Sequence, residues 1–195
     1  GMRELGYIEG KNFVIEIRWA ESKYERLAGL AAELVSLNVE LIVTFGTPGV
    51  LAAKQATTVI PIVIAAQGDA VATGLVVSLS RPGGNITGST FFSLQLQAKR
   101  LELLKEVLPH ARHLGYLANP DTAAMMREAM KVMAATAKSL KVELQQFDVR
   151  EPQEFERVFS EMAKQRVAAF TSQDEPMLTA NLATVASIAA RHRIA

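Results

Sequence analysis

The chain of 195 residues contains no cysteine. Disulfide bonds, zinc sites built on thiolates and thiol catalysis are therefore excluded. An excess of charge is also lacking, because the formal net charge is +1 and the lysines and arginines form no stripe. Proteins that bind nucleic acid usually carry a basic patch, so the composition argues against such a partner. The longest apolar runs, near Leu41 and Pro61, have the length of a strand, and no transmembrane helix is predicted.

Sequence motifs for catalysis are also missing. There is no GxSxG, no HExxH, no GxxxxGK[ST] and no GxGxxG after a predicted strand. The histidines are His110, His113 and His192, and they lie away from the strand ends that carry the other polar residues. The acidic residues do not form a cluster with the spacing of metal ligands. The sequence therefore predicts a protein that is not an enzyme, with no cofactor and no metal.

Strands and helices alternate along the whole chain, which indicates an α/β fold with parallel strands. Helices are predicted at 23–37, 48–57, 94–108, 122–140, 152–165 and 177–192, with one more helical turn at 76–80. Strands are predicted at 12–20, 39–45, 60–66, 85–92, 113–118, 142–149 and 167–171.

The segment Arg81-Pro82-Gly83-Gly84 is the strongest break in this alternation. A second α/β series begins soon after it, so we expect two lobes joined near 90–95. We place the N-terminal lobe at 1–92 and the second lobe at 93–195. Two such lobes with facing strand ends would enclose a cleft, and domain interfaces are common sites for small-molecule pockets.

The end of the first buried strand offers a site for an anion. Gly46 would let the backbone approach a ligand closely, and Thr47 would offer a hydroxyl at the start of a helix. The free amides of that first turn favour a carboxylate or a phosphate, both by hydrogen bonding and through the helix dipole. The alternative is that Thr47 only caps the helix.

Four further polar residues follow predicted strands and are candidate ligand contacts. In an open parallel sheet, ligands bind outside the carboxyl ends of the strands. Each candidate has a structural alternative: a helix or turn cap for the acids, and the start of a turn for the amide before proline. The four residues are Asp69, Asn119, Asp174 and Glu175.

The two ends of the chain indicate a piece of a longer protein. Gly1-Met2 resembles an expression remnant, and residues 3–7 have the character of the last turn of a helix. The alternation would place another strand at Ile194 and Ala195. The alternative is a complete small domain with ragged ends.

Several stretches resemble one family of ABC transporter substrate-binding proteins, in the same order and over essentially the whole chain. They are ELGYIEGKN at 4–12, IRWA at 17–20, LAAELV at 30–35, GTP at 46–48, SRPGGNITG at 80–88, KRLELLKE at 99–106 and AARHR at 189–193. The chain departs from the family pattern at Ala70, where proline is frequent, and at Glu175, where aspartate is frequent.

The resemblance implies a two-lobed periplasmic-binding-protein fold of type I. It implies a solute-binding component of an ABC uptake transporter that takes a small polar ligand, with an amino acid as the candidate, and delivers it to a permease. It further implies a periplasmic protein or a cell-surface lipoprotein, in contact with the membrane only through the transporter or an N-terminal anchor. The alternative is the effector-binding domain of a transcription regulator, which uses the same fold.

Overall fold

The first half of the chain forms a three-stranded parallel sheet with helices beside it. A computed structural model describes residues 2–90 and 93–195. The strands β1 Ile42–Phe45, β2 Ile62–Ala66 and β3 Ile86–Gly88 lie in the order β1-β2-β3. Helix α1 (Leu27–Ser36) follows a 3-10 turn at Tyr24–Arg26, and helix α2 (Gly46–Ala56) connects β1 to β2. Crossover helices are needed because parallel strands cannot be joined by a tight hairpin.

The second half forms another parallel sheet with longer helices. The strands β4 His113–Ala118, β5 Glu143–Asp148 and β6 Ala169–Ser172 lie in the order β5-β4-β6. The helices are α3 Ser93–Val107, α4 Ala123–Ser139, α5 Phe155–Lys164, α6 Pro176–Ala180 and α7 Leu182–Arg191, and 3-10 turns lie at Pro120–Thr122 and Pro152–Glu154. The first half has a further 3-10 turn at Met2–Leu5. Within the described ranges, no helix is long and apolar enough to cross a membrane.

Each sheet has its own core. In the first, Ile42, Ile62 and Ile86 from the three strands pack with Val50 of α2. In the second, apolar side chains from sheet and helices form separate clusters on the two faces. One cluster includes Phe147, Phe155, Phe159 and Val185, and the other includes Leu101, Leu114, Ala137 and Ala169. Strand β4 lies in the centre of the sheet and is buried on both faces, which explains why its residues after His113 do not alternate between apolar and polar.

The structure corrects the sequence prediction in three places. The predicted strand at 12–20 is not a strand, and the described part of this segment has only an isolated bridge between Glu9 and Phe13. A strand needs a neighbouring backbone to pair with, and alternation alone does not supply one. The helical turn predicted at 76–80 is also wrong, since these residues form bends and loop. The helix predicted at 177–192 is divided at Asn181, whose side-chain amide donates to the carbonyl of Met177.

The predicted strand at 85–92 is observed only as Ile86–Gly88. Its end, and the predicted boundary between lobes at 92, fall on residues 91 and 92, which lie outside the described residues. The two separate sheets agree with a two-lobed architecture. The backbone of Ala195 donates to the carbonyl of Ala168, just before β6, and accepts from the amide of Phe170 within β6. Ala195 therefore lies beside this edge of the second sheet.

Candidate functional site

The carboxyl ends of the two sheets meet through a close contact between Gly46 and Pro176. Gly46 follows β1 directly, has φ of +75°, and begins α2. Pro176 begins α6 of the second lobe. A Cβ atom on Gly46 would lie 2.5 Å from Cγ of Pro176, so this contact requires glycine for space as well as for conformation. The helix starts of the two lobes therefore touch.

Thr47 contacts Gln67 rather than its own helix. The Thr47 hydroxyl donates to Oε1 of Gln67 over 3.0 Å, and no side-chain hydrogen bond caps the start of α2 in the described structure. Gln67 follows β2 and is only 1% exposed. Its Nε2 has no hydrogen-bond partner among the residues that the structure describes. The Thr47 side chain therefore does not cap α2.

Asp69 organises its own turn. Its Oδ1 accepts hydrogen bonds from the amides of Val71 and Ala72, at 3.0 and 2.9 Å. The Thr90 hydroxyl holds the same loop from the other side, since it donates to the carbonyl of Gly68 over 2.6 Å and accepts from the amide of Ala70. Both bonds to Asp69 use one oxygen, and a carboxylate has about four acceptor positions. The turn therefore leaves acceptor capacity on Oδ2.

Asn119 lies at the end of β4 and is 2% exposed. Its Oδ1 accepts from the backbone amide of Asp121, and its own backbone amide donates to Oε1 of Gln173 over 2.9 Å. Gln173 in turn donates from Nε2 to the Thr122 hydroxyl over 2.6 Å. This buried network joins the ends of β4 and β6. Asn119 thus shapes the turn before Pro120, as the structural alternative proposed.

Asp174 is paired inside the second lobe. Its Oδ1 accepts from Arg100 over 2.6 Å, and its Oδ2 accepts from Nε2 of Gln97 over 3.0 Å. Gln97 is fully buried, and its Oε1 has no partner within the described ranges. Burial raises the pKa of the neighbouring Tyr116 hydroxyl, with Asp174 acting in the same direction. Arg100 balances the charge of Asp174 from within its own lobe.

Glu175 caps α6 and also contacts the first lobe. Its carboxylate accepts from the amides of Met177 and Leu178, at 3.1 and 2.9 Å, and from the hydroxyl of Tyr24. Glu175 is 4% exposed. Burial raises the pKa of Tyr24 well above its usual range, and the bond to Glu175 adds to the rise. A phenol of one lobe is thus bonded to a buried carboxylate of the other.

A small groove lies beside this contact and has walls from both lobes. Its volume is about 240 Å³, and it is lined by Tyr24, Pro48 and Leu51 from the first lobe and by Asp121 and Thr122 from the second. The lining combines apolar side chains with one exposed acid. Pro48 lies in the first turn of α2, two residues after Gly46, so one wall of the groove belongs to the helix that begins at the Gly46–Pro176 contact.

The structure brings some of the predicted residues close to the boundary between the lobes and gives them partners that the sequence did not indicate. Gly46, Thr47 and Glu175 lie near the boundary between the lobes, whereas the observed bonds of Asp69 and Asp174 stay within their own lobes. Gln67 was detectable, because it directly follows a buried strand. Tyr24 and Arg100 gave no such signal, since each stands in a helical segment far along the chain from its acidic partner.

Among the described residues, no group of three or more histidine or acidic side chains could hold a metal ion. The polar groups near the boundary between the lobes are amides, hydroxyls and carboxylates. Such groups can hold a polar molecule by hydrogen bonding.

Comparison with known proteins gives a family match over the whole chain. The family model described as ABC transporter substrate binding protein matches residues 1–195. A tyrosine-binding protein of Clostridioides difficile (strain R20291) is 37% identical over 119 residues, which are 60% of this chain and 34% of that protein.

Two solved structures share the fold at 24% sequence identity. One is a conserved domain protein from Vibrio cholerae O1, with a TM-score of 0.85, and the other is an ABC domain from Streptococcus pneumoniae in complex with L-Trp, with a TM-score of 0.79. Each match covers 99% of this chain and 64% of the solved chain. The chain therefore spans less than two thirds of the length of these relatives.

Proposed function

Because this chain belongs to the ABC transporter substrate-binding protein family, we propose that it is the solute-binding component of an ABC uptake transporter. It captures a small polar ligand between its two lobes and delivers it to a permease. ABC substrate-binding proteins are typically extracytoplasmic, and we propose the same for this protein, as a periplasmic protein or a lipid-anchored one. The family match supports transport over the alternative of an effector-binding domain in a regulator.

The observation that carries this proposal is the meeting of two helix starts from different lobes. Gly46 at the start of α2 touches Pro176 at the start of α6, and Tyr24 is bonded to Glu175 at the same boundary. A ligand that bonds to both sides makes contacts in the closed arrangement that an open one lacks. It therefore shifts the population towards closure, which is how hinged binding proteins respond to their solutes.

We propose an amino acid as the ligand. The start of α2, with Gly46 and Thr47, suits a carboxylate because its amides lack a side-chain cap and the helix dipole is positive there. An ammonium group in a partly dry cleft must be paired with an acceptor. The complex of one structural relative with L-Trp and the name of the tyrosine-binding relative support this choice of ligand class.

We assign the ammonium to Asp69, with Asn119, Asp174 and Glu175 as the polar wall of the second lobe. Asp69 keeps Oδ2 for a ligand after its two amide bonds. The charge of Asp174 is already paired with Arg100, and the Glu175 carboxylate already accepts a hydrogen bond from the neutral Tyr24 hydroxyl, so both acids have partners before a ligand arrives. These two acids therefore contribute shape and closure more than net attraction.

Calorimetry on the natural full-length protein with L-tyrosine and L-tryptophan tests the proposal. We expect binding of at least one of them, and a loss of about tenfold for Asp69→Asn, because a hydrogen bond to a charged group contributes about 1.5–3 kcal/mol. The variant should not lose affinity for 3-(4-hydroxyphenyl)propionate, which lacks the ammonium group.

The matched control is Asp148→Asn, on the edge strand β5, where the carboxylate accepts from Gln146 and is exposed. This control should bind like the parent. If a panel of amino acids gives no binding to the parent, the ligand class is wrong. If Asp69→Asn binds L-tyrosine as the parent does, the ammonium lies elsewhere.

A further inference from the structure

The buried side-chain amide of Gln67 has incomplete hydrogen bonding among the described residues. Gln67 follows β2, at the same sheet edge as Gly46 and the start of α2. Its Oε1 accepts from Thr47, while its Nε2 is buried without a partner among the described residues. Leaving a buried donor unpaired costs free energy, and native proteins rarely tolerate it without a functional reason.

We propose that Nε2 of Gln67 is a ligand contact that donates a hydrogen bond to the carboxylate of the bound solute. This inference rests on the proposed function and deepens it by naming a specificity-determining donor. The bond would offset the cost of the unpaired amide only when a ligand is present. Tight binding therefore requires a ligand that carries a hydrogen-bond acceptor for the Gln67 amide.

Thr47 has a different role in this arrangement from the one that its sequence position suggests. Its hydroxyl has a single proton, and that proton is directed at Oε1 of Gln67. Thr47 therefore fixes which end of the Gln67 amide is engaged, and Nε2 is the end that stays unpaired among the described residues. We assign Thr47 as a positioning residue and Gln67 as the contact.

The neighbouring groups favour an anionic acceptor over a neutral one. Helix α2 spans Gly46–Ala56, long enough for its dipole to act at its first turn, and no side chain caps that turn in the described structure. A carboxylate has two oxygens, so it can accept from Gln67 and from an amide of α2 at once. The site thus recognises the carboxylate of an amino acid through hydrogen-bond donors, the Gln67 amide and the amides of α2.

The test compares L-tyrosine with tyramine, the same molecule without its carboxylate, on the natural full-length protein. Gln67→Met keeps the size of the side chain and removes the donor, and Gln67→Glu replaces the donor with a negative charge. We expect Gln67→Met to weaken L-tyrosine binding about tenfold and to leave tyramine unchanged. Gln67→Glu should weaken L-tyrosine further, because two carboxylates would face each other.

Thr47 is tested in the same assay. Thr47→Val keeps the shape but loses the hydroxyl, so L-tyrosine should weaken by a similar factor. Thr47→Ser should restore parental affinity, since serine can donate to Oε1 in the same way. The control for glutamine replacement is Gln165→Met, at the exposed end of α5 away from the carboxyl edge, which should change neither ligand.

The outcomes separate this inference from the proposed function. If the parent binds L-tyrosine and Gln67→Met binds it equally well, the inference is overturned and the proposed function stands. If Gln67→Met weakens both ligands equally, Gln67 acts on closure rather than on the carboxylate, and the inference is again overturned. If the parent binds L-tryptophan instead of L-tyrosine, the same comparison is made with L-tryptophan and tryptamine, and its result decides the inference. If the parent binds no amino acid of the panel, the amino-acid proposal fails and this inference fails with it. The thermal midpoint of unliganded Gln67→Met should change little, because removal of the buried unpaired donor offsets the loss of the hydrogen bond from Thr47.

Discussion

At the scale of single residues, the boundary between the lobes depends on small geometric facts. Gly46 combines a left-handed backbone conformation with a close approach to Pro176. Either condition alone would favour glycine, and together they leave no room for a side chain. Gly29 is a useful contrast, because it lies in α1 with ordinary helical backbone and open space around its Cα.

We therefore predict opposite effects for two alanine substitutions. Gly46→Ala should lower the free energy of unfolding by at least about 1 kcal/mol, because a left-handed conformation costs an L-residue about 1–2 kcal/mol and Pro176 must also move. Gly29→Ala should raise the free energy of unfolding by about 0.5–1 kcal/mol, because alanine is the better helix former. Urea denaturation measures both, and equal effects of the two substitutions would contradict the role of the Gly46–Pro176 contact.

At the scale of elements, the second lobe is built around a strand that is buried on both faces. Strand β4 lies between β5 and β6, and Leu114 on that strand packs with Leu101 of α3. Helix α3 carries apolar residues on more than one side. Leu101 is fully buried, whereas Leu103, two residues later, is 46% exposed. The same residue type thus occupies opposite environments on one helix.

This contrast predicts a large difference between two otherwise identical substitutions. Leu101→Ala should lower the free energy of unfolding by about 2–5 kcal/mol, because it removes buried apolar surface and leaves a cavity. Leu103→Ala should change it by no more than about 0.5 kcal/mol, as is usual at exposed positions. Chemical denaturation followed by circular dichroism compares them. A similar loss for both would mean that α3 does not pack on β4 through Leu101.

At the scale of the whole molecule, the two lobes are joined by a hydrogen bond between Tyr24 and Glu175. These residues are 151 positions apart. Glu175 also caps α6, so its buried carboxylate is held by donors from both lobes. A hydrogen bond to a charged group contributes about 1.5–3 kcal/mol, more than a neutral one. The bond therefore helps to hold the two lobes together.

We predict that Tyr24→Phe lowers the free energy of unfolding by about 1.5–3 kcal/mol at neutral pH, because it leaves Glu175 without one donor. The pH dependence should also change. A tyrosine whose pKa is raised on folding stabilises the protein fully below its unfolded value of about 10, and this contribution is lost as the pH rises above that value. The parent should therefore lose stability above pH of about 10, and Tyr24→Phe should lose less.

The control is Tyr7→Phe, at an exposed tyrosine outside the lobe boundary. It should behave as the parent does in both measurements. Tyr24→Phe should still lose some stability at alkaline pH, because burial also raises the pKa of Tyr116. An unchanged alkaline slope in Tyr24→Phe would show that the phenol does not carry its proton into the bond with Glu175.

The sequence by itself determined the order and type of most elements. Apolar periodicity is a local property, so the strand at His113–Ala118 was predicted with the observed ends, and α3 differs by one residue at each end. The sequence also located the strand ends, because Gly46, Asp69, Asn119 and Glu175 directly follow or lie near buried runs. The family match confirmed the fold class and the resemblance to substrate-binding proteins.

Only the tertiary structure decided which side chains meet. The alternating residues at 12–20 are not a strand, because pairing depends on a neighbouring backbone. Gln67 and Thr47 are 20 residues apart, and Asp174 and Arg100 are 74 apart, so their hydrogen bonds depend on how the elements pack. Burial of the Gln67 amide without a partner likewise exists only once the sheet and α2 come together. Apolar periodicity depends on residues that are close in sequence, whereas hydrogen bonds between elements depend on residues that only folding brings together.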